Sequence, residues 1–445
     1  MIASAHTQYI DALVPWLGAV PAHWSVAPVW TLFRRSKRTG HANEPLLSVY
    51  RDHGVVFKDS RDDNANRASE DLSTYQLVEP GDLVINKMKA WQGSVAVSQL
   101  RGIVSPAYFV FRPTHNHDPR FLHLLLRSRD YITGYKAISK GIRVAQWDLD
   151  PEKHRVMPVL IPSPTEQALI VAFLDRETTR IGSLIEKKAR FIELLCEKQV
   201  ATITRVVVNG LRPGETKQSM VPWIPASPAH WTVLPLSAVA TRGGGLFIDG
   251  DWIESKDLAD EGVRYITTGN VGRGIYKEKG SGFISEDTFR RLNCTEVLAG
   301  DILVSRLNSP IARACVVPDL NSRVVTSVDN VIVRPSPAYD RRFLVYLFSS
   351  APHFYNTENL ARGTTMQRIS RSALGRIRFA VPNLAEQVEI ADHLDHEIGK
   401  LQRLIAKTER SIELLKEHRS ALIAAAVTGK IDVRGQAAKN MKAAA

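Results

Sequence analysis

Cysteine is scarce: the chain has 3 in 445 residues, at Cys196, Cys294 and Cys315, and no two form a CxxC pair. That excludes a disulfide framework and a cysteine-built zinc ribbon, and a reducing cytoplasm is the expected compartment. Long apolar runs are missing too. No stretch reaches the roughly 18 consecutive apolar residues of a membrane helix. The first residues, MIASAHTQYIDALVPW, lack the basic-then-apolar pattern of an export signal, so neither a membrane span nor export is expected. A phosphate-cradling GxxxxGK[ST] run is also absent, which removes the case for an ATP motor in this chain.

Catalytic signals are equally poor. Gly269-Asn270-Val271-Gly272-Arg273-Gly274 has the wrong glycine spacing for a dinucleotide fingerprint and reads as a flexible loop. Ser105-Pro106-Ala107-Tyr108 only faintly resembles the Pro-Pro-aromatic motif of amino-methyltransferases, since it lacks the second proline and any companion glycine-rich motif. His115, His117 and Asp118 tempt as metal ligands, but their setting, Pro113-Thr114-His115-Asn116-His117-Asp118-Pro119, reads as a solvated turn. No nucleophile stands beside a base. The expectation is a non-catalytic chain that itself holds no cofactor and no metal.

What is present is a repeat. Pro21-Ala22-His23-Trp24 returns as Pro228-Ala229-His230-Trp231, a step of 207. Glu166-Gln167 with Ile170, Leu174 and Asp175 returns as Glu386-Gln387 with Ile390, Leu394 and Asp395, a step of 220. A unit this long seen twice suits a pseudo-dimer in one chain and not a solenoid. At 44% hydrophobic content, the chain can bury several cores.

Each repeat contains a long amphipathic helix. Ser163-Pro164-Thr165-Glu166 and Asn383-Leu384-Ala385-Glu386 read as helix starts with a capping box, and Asn209-Gly210 and Thr428-Gly429 as helix ends. Between them Ile170, Leu174, Ile181, Ile185, Ile192 and Leu195, then Ile390, Leu394, Ile398, Leu401, Ile405, Ile412, Leu415 and Leu422, recur in steps of mainly three, four and seven. That pattern predicts a coiled-coil seam, interrupted at Lys188 and Thr408. Pseudo-twofold symmetry favours an antiparallel pairing.

The remaining segments mix strands and helices without a βαβ rhythm, which predicts an α+β class. The expected organisation is a globular domain over 1–163, a helix over 164–210, a second globular domain over 211–383, a second helix over 384–430, and a disordered tail over 431–445. Charge separates these parts. The net charge is +12, yet residues 166–210 and 386–430 together sum to zero and the tail carries about two, so the globular segments hold roughly ten of the excess positives. They are the expected readers of a polyanion, nucleic acid first.

Two loops in each copy carry the side chains for that task. In the first copy, Asn86, Lys87, Lys89, Trp91 and Gln92 follow the Gly81-Asp82 turn and its strand, and Lys140, Arg143 and Gln146 lie in the loop Ser139 to Trp147. In the second, Arg306, Asn308 and Arg313 follow Gly300-Asp301 and its strand, and Arg362, Thr365, Gln367 and Arg368 form the partner loop. Lysine and arginine suit phosphates; asparagine and glutamine suit base edges. The same places carry different identities, as two readers of different sequences would require.

The repeated Trp16-x4-Pro21-x-His23-Trp24 and Trp223-x4-Pro228-x-His230-Trp231 entries, the Gly-Asp turns, the Glu-Gln helix starts and the terminal glycines make the chain resemble the specificity subunit of a type I restriction-modification system. The proline ahead of the Glu-Gln pair departs from a common pattern, being Pro164 in one copy and the more distant Pro382 in the other. The resemblance implies two target-recognition domains on a helical spacer, reading the halves of a split double-stranded DNA target. It also implies two methyltransferase subunits and restriction subunits as partners, with AdoMet, ATP and Mg on those partners. A pseudo-dimeric DNA-binding regulator and a degenerate stand-alone DNA methyltransferase are the competing readings.

Overall fold

The structure, a computed structural model, describes residues 5–435 apart from 13, 61–68, 144–145, 222–223, 242, 280–281 and 364–365. It divides into two compact units, Met1–Lys188 with Arg410–Ala445, and Ala189–Glu409. Both boundaries fall inside the long helices, Pro164–Asn209 (46 residues) and Leu384–Val427 (44 residues). Among the described residues no helix is long and apolar enough to cross a membrane.

Each unit is built around an antiparallel four-stranded sheet. In the first unit the order is Phe33–Ser36, Tyr108–Pro113, Leu83–Asn86, Val95–Val97; in the second it is Leu246–Asp249, Asn330–Arg334, Ile302–Ser305, Ala314–Val316. Successive side chains of a strand point to opposite faces. Leu83 and Ile85 therefore enter one core while Val84 enters another. In the second unit Ile302 and Val304 enter one and Leu303 the other. Burial on both faces explains why these strands read as continuous apolar runs.

Helices Pro119–Leu126 and Arg129–Ile138, or Arg341–Leu347 and Ala351–Leu360, lie on the larger core. A further strand closes each body: Pro158–Ile161 pairs with Ser25–Pro28, and Arg378–Val381 with Thr232–Pro235. The α+β expectation holds.

In each unit the start of one long helix and the end of the other share a core. Ile170, Val171, Phe173 and Leu174 join Ala426 and Val427 in the first unit; Ile390, Ala391 and Leu394 join Ile203, Val206 and Val207 in the second. A start meeting an end requires opposite helix directions, as expected. The apolar stripe is buried or half-buried throughout, and the polar Thr408 within it is buried with its hydroxyl donated to Leu404 O at 2.8 Å. That bond to the preceding turn satisfies the Thr408 hydroxyl.

The repeated motifs converge on these junctions. His23 Nε2 lies 3.0 Å from Glu166 Oε2, and His230 Nε2 lies 2.8 Å from Glu386 Oε2. Gln167 accepts from Asp118 N at 2.9 Å and donates to Pro162 O at 2.8 Å; Gln387 does the same with Asp340 N and Pro382 O, both at 2.9 Å. Asp118 and Asp340 in turn cap the first short helix of each unit. One glutamine thus pins a loop, a strand end and a helix start together. The terminal glycines adopt φ +75 and +72, the left-handed value their type was expected to supply.

Four expectations need correcting. The capping box is half formed: Ser163 Oγ and Asn383 Oδ1 accept from Glu166 N and Glu386 N, but the glutamates turn to the histidines. Ser139 to Trp147 is not a loop; Ser139–Arg143 and Gln146–Leu149 form an antiparallel hairpin. The glycine run at 269 opens with a tight turn, not a flexible loop, since fully buried Asn270 bonds Thr267 N, Lys277 O and Lys279 O. The start of the supposed disordered tail packs, because Val433 is apolar and only 2% exposed in the first core; residues 436–445 lie outside the described residues.

Candidate nucleic-acid interface

The sheet positions the candidate loops. In the first unit the strand Leu83–Asn86 runs into a turn in which Asn86 O accepts from Lys89 N at 3.0 Å and Asn86 Oδ1 accepts from Met88 N at 3.2 Å. A single 3-10 turn, Ala90–Gln92, follows, and Ala90 is wholly buried beneath it. Gly93 closes the turn at φ +95, where an added Cβ would stand 2.8 Å from Ile132 Cδ1. This loop is shaped by its own backbone.

The hairpin Ser139–Leu149 lies against it. Lys87 O accepts from Leu149 N at 3.0 Å, Lys87 Nζ is 3.6 Å from Asp148 Oδ2, and the Trp91 and Trp147 rings lie 5.1 Å apart with a 41° tilt. Trp91 is further fixed by Nε1 donating to Met88 O at 3.1 Å. The structure therefore brings the two candidate segments of this copy together. Lys89, Lys140 and Gly141 are exposed, while Asn86, Lys87, Trp91 and Gln92 are half-buried. A cleft of about 580 Å³ beside the hairpin is lined by Lys136, Lys140 and Trp147 among others. The Arg143 and Gln146 side chains lie outside the described residues.

The second unit builds the same place differently. Arg362 and Arg368 exchange backbone hydrogen bonds at 2.9 and 2.8 Å around Gly363 at φ +110, and Leu307 bridges to Arg368. Asn308 N donates to Gln367 O at 3.4 Å, so these two amide residues are neighbours, and both are exposed. Thr365 lies outside the described residues.

The arginines here divide by role. Arg306 is 6% exposed, with its guanidinium held by Val328 O and by Asp249 at 3.3 Å. Arg313 donates to five carbonyls: Val271 at 2.7 Å, Thr268 at 2.8 Å, Asn308 at 2.9 Å, Leu307 at 3.0 Å and Pro310 at 3.5 Å. Burial holds both guanidinium pKa values below the ordinary arginine value. Arg306 and Arg313 shape the loop from within, while Arg362 is exposed and Arg368, half-buried, pairs with Asp329 at 2.9 Å.

Sequence reasoning misses Trp147 as the aromatic partner of Trp91, and misses the acids Asp148, Asp249 and Asp329 that hold the cations. The only sequence sign of Trp147 is that it ends the candidate segment. His115 and His117 do form a turn, in which His115 Nδ1 accepts from His117 N at 3.1 Å and Asp118 caps the helix after it.

The comparisons with known proteins converge. The family model of the type I restriction modification DNA specificity domain matches residues 229–414. The StySPI specificity subunit of Salmonella potsdam is 20% identical over 440 residues, covering 94% of this chain and 92% of that protein. The MjaVIII specificity subunit of Methanocaldococcus jannaschii is 24% identical over 305 residues, 67% of each. A solved structure from a study of complex assembly and conformational transition of the type I R-M system matches with a TM-score of 0.64 at 17% identity, covering 93% of this chain and 99% of its own. The HsdS subunit from Thermoanaerobacter tengcongensis matches with a TM-score of 0.51 at 17% identity, covering 95% and 100%. Repeat, fold and relatives agree in one likeness: this chain is similar to type I restriction-modification specificity subunits, and its residues 229–414 match their DNA specificity domain.

Proposed function

We propose that this chain reads a bipartite double-stranded DNA target and directs partner methyltransferase and restriction subunits to it. One observation carries the reading. In each unit a loop at the same place in the sheet is fixed by buried or backbone contacts, while cationic and amide residues exposed on it differ between copies. A fixed frame with interchangeable polar side chains is what base-edge recognition requires. The chain is a non-catalytic subunit working in the cytoplasm, and AdoMet, ATP and Mg act on the partners.

Methylome sequencing of cells with and without this chain tests the proposal. A split motif that disappears with the chain supports it. An unchanged methylome, or methyl transfer by the purified chain alone, refutes it.

Two groups of substitutions then separate anchoring from reading. Lys89→Ala and Lys140→Ala should each weaken binding to target and random DNA alike and lower the salt slope by about one. Lys87→Ala should do less, since Asp148 already offsets that charge. Fluorescence anisotropy across a salt series measures both, and an unaltered slope would argue against phosphate contact. Gln92→Ala, Asn308→Ala and Gln367→Ala should instead cost about 1–3 kcal/mol of discrimination between target and mismatched DNA. Equal losses on random DNA would count against base reading.

A further inference from the structure

The first helix junction contains a group of side chains that the second lacks. His6, His23 and Glu166 each place a ligand atom within 4.8 Å of the other two. The His6 and His23 rings are 5.3 Å apart, tilted by 48°. Strand pairing fixes the equivalent of His6 in the second copy: Tyr9 pairs with Pro21 as Thr216 pairs with Pro228, so the step of 207 places Pro213 there. The shared glutamate is also used differently. Glu386 takes both His230 Nε2 and Trp231 Nε1, at 2.8 and 3.1 Å. Glu166 takes His23, while the buried Trp24 Nε1 has no partner. In the first junction the carboxylate faces imidazoles and leaves the indole alone.

We infer that His6, His23 and Glu166 form a divalent-metal site, suited to Zn²⁺, that ties the amino-terminal segment to the start of the first long helix. Two imidazoles and a carboxylate are a borderline-soft nitrogen and oxygen donor set. Ligand atoms around tetrahedral zinc stand about 3.3 Å apart for bonds of about 2.0 Å, comparable to the 3.0 Å between His23 Nε2 and Glu166 Oε2. The side chains of His6 and Glu166 are 2% and 5% exposed, and that of His23 is 41% exposed. Two ligands are therefore sheltered and the third faces solvent, which leaves an entry path.

Asp432 supplies an outer shell. Its Oδ2 is 3.8 Å from His6 Nδ1, and Arg434 Nη2 is 3.3 Å from the same nitrogen. Ligation through Nε2 of His6 places the ring proton on Nδ1, facing Asp432, and requires the Arg434 guanidinium, which can only donate, to turn from that nitrogen to the Asp432 carboxylate it already pairs with. The Arg434 charge is matched by its two bonds to Asp432, at 2.9 and 2.7 Å. A carboxylate behind a ligating histidine fixes its ring and tautomer.

The test uses the untagged full-length chain, stripped with a chelator and titrated with Zn²⁺ against a chromophoric competitor, then with Co²⁺ alone. One equivalent of Zn²⁺ and a visible Co²⁺ band are expected. Both should be lost in His6→Ala and in the milder His6→Gln, with unchanged far-ultraviolet circular dichroism. His230→Ala, in the second junction, should keep both. Asp432→Asn should weaken binding by roughly 10–100-fold. Absence of saturable binding in the wild type, or binding that survives both His6 substitutions, would overturn the site.

Discussion

Replacing Gly429 by alanine should cost about 3 kcal/mol or more of stability, whereas the same change at Gly210 should cost only about 1 kcal/mol. Both residues end a long helix at a left-handed φ, +72 and +75, so both variants meet the same backbone strain. Their surroundings differ. An alanine Cβ at 429 would stand 2.4 Å from both Cδ and Cγ of Pro21 and 3.2 Å from the Trp24 ring. Pro21 is part of a strand paired with Tyr9–Asp11, and Trp24 is 4% exposed, so neither has a free path away. At 210 the nearest atoms, on Glu386 and Trp231, are 3.5 Å away, ordinary contact. Urea midpoints of the two variants make the comparison. Equal losses would mean that Pro21 shifts to admit the methyl group.

Acid should unfold the protein well above the range in which carboxylates titrate. His154 and His353, one in each unit, are each 1% exposed, and burial pushes both down to about 4. The folded value lies below the ordinary 6.5, so the unfolded chain takes up protons first. Stability is then complete above about pH 7 and falls as pH drops from 6.5 towards 4, by about 1 kcal/mol per pH unit for each histidine. Over that window the loss reaches about 3 kcal/mol per site. His123, also near 4 through burial and the Arg127 charge, adds to the loss in the first unit.

His353 is the clean place to test this. Its Nε2 meets Ala312 O at 3.0 Å, its Nδ1 has no partner, and the rings of Phe348, Phe354 and Phe379 lie 5.4 to 5.8 Å away. His353→Phe should flatten the pH dependence of the guanidinium midpoint between pH 7 and pH 5. An unchanged slope would place the acid sensitivity elsewhere.

The parts legible in the sequence are those set by local spacing. The stripe from Ile170 to Leu195 specifies a helix because its spacing matches the helical turn, and the strands around Leu83 and Ile302 specify themselves by apolar runs between glycine turns. The hairpin Ser139–Leu149 is hidden because Lys140, Gly141, Arg143 and Gln146 offer no alternation to read. The junctions show only as repeated words. That His23, Glu166 and Gly429 meet around Trp24 depends on contacts spanning most of the chain. Nor does the sequence tell Arg313 from Arg362. One is drawn inward by five carbonyls and the other left outside, a difference set by packing rather than by residue type.

The five carbonyls on Arg313 have a consequence for how this interface changes over time. Carbonyls belong to the main chain and are the same whatever residue carries them, so the frame that Arg313 holds is indifferent to the letters written on it. Gln367, exposed on that frame, is free to be exchanged while the fold stays as it is, whereas Asn308 sits at a left-handed φ of +62 that favours asparagine or glycine. A lineage of such proteins can drift from one target to another through single substitutions, each intermediate still folded.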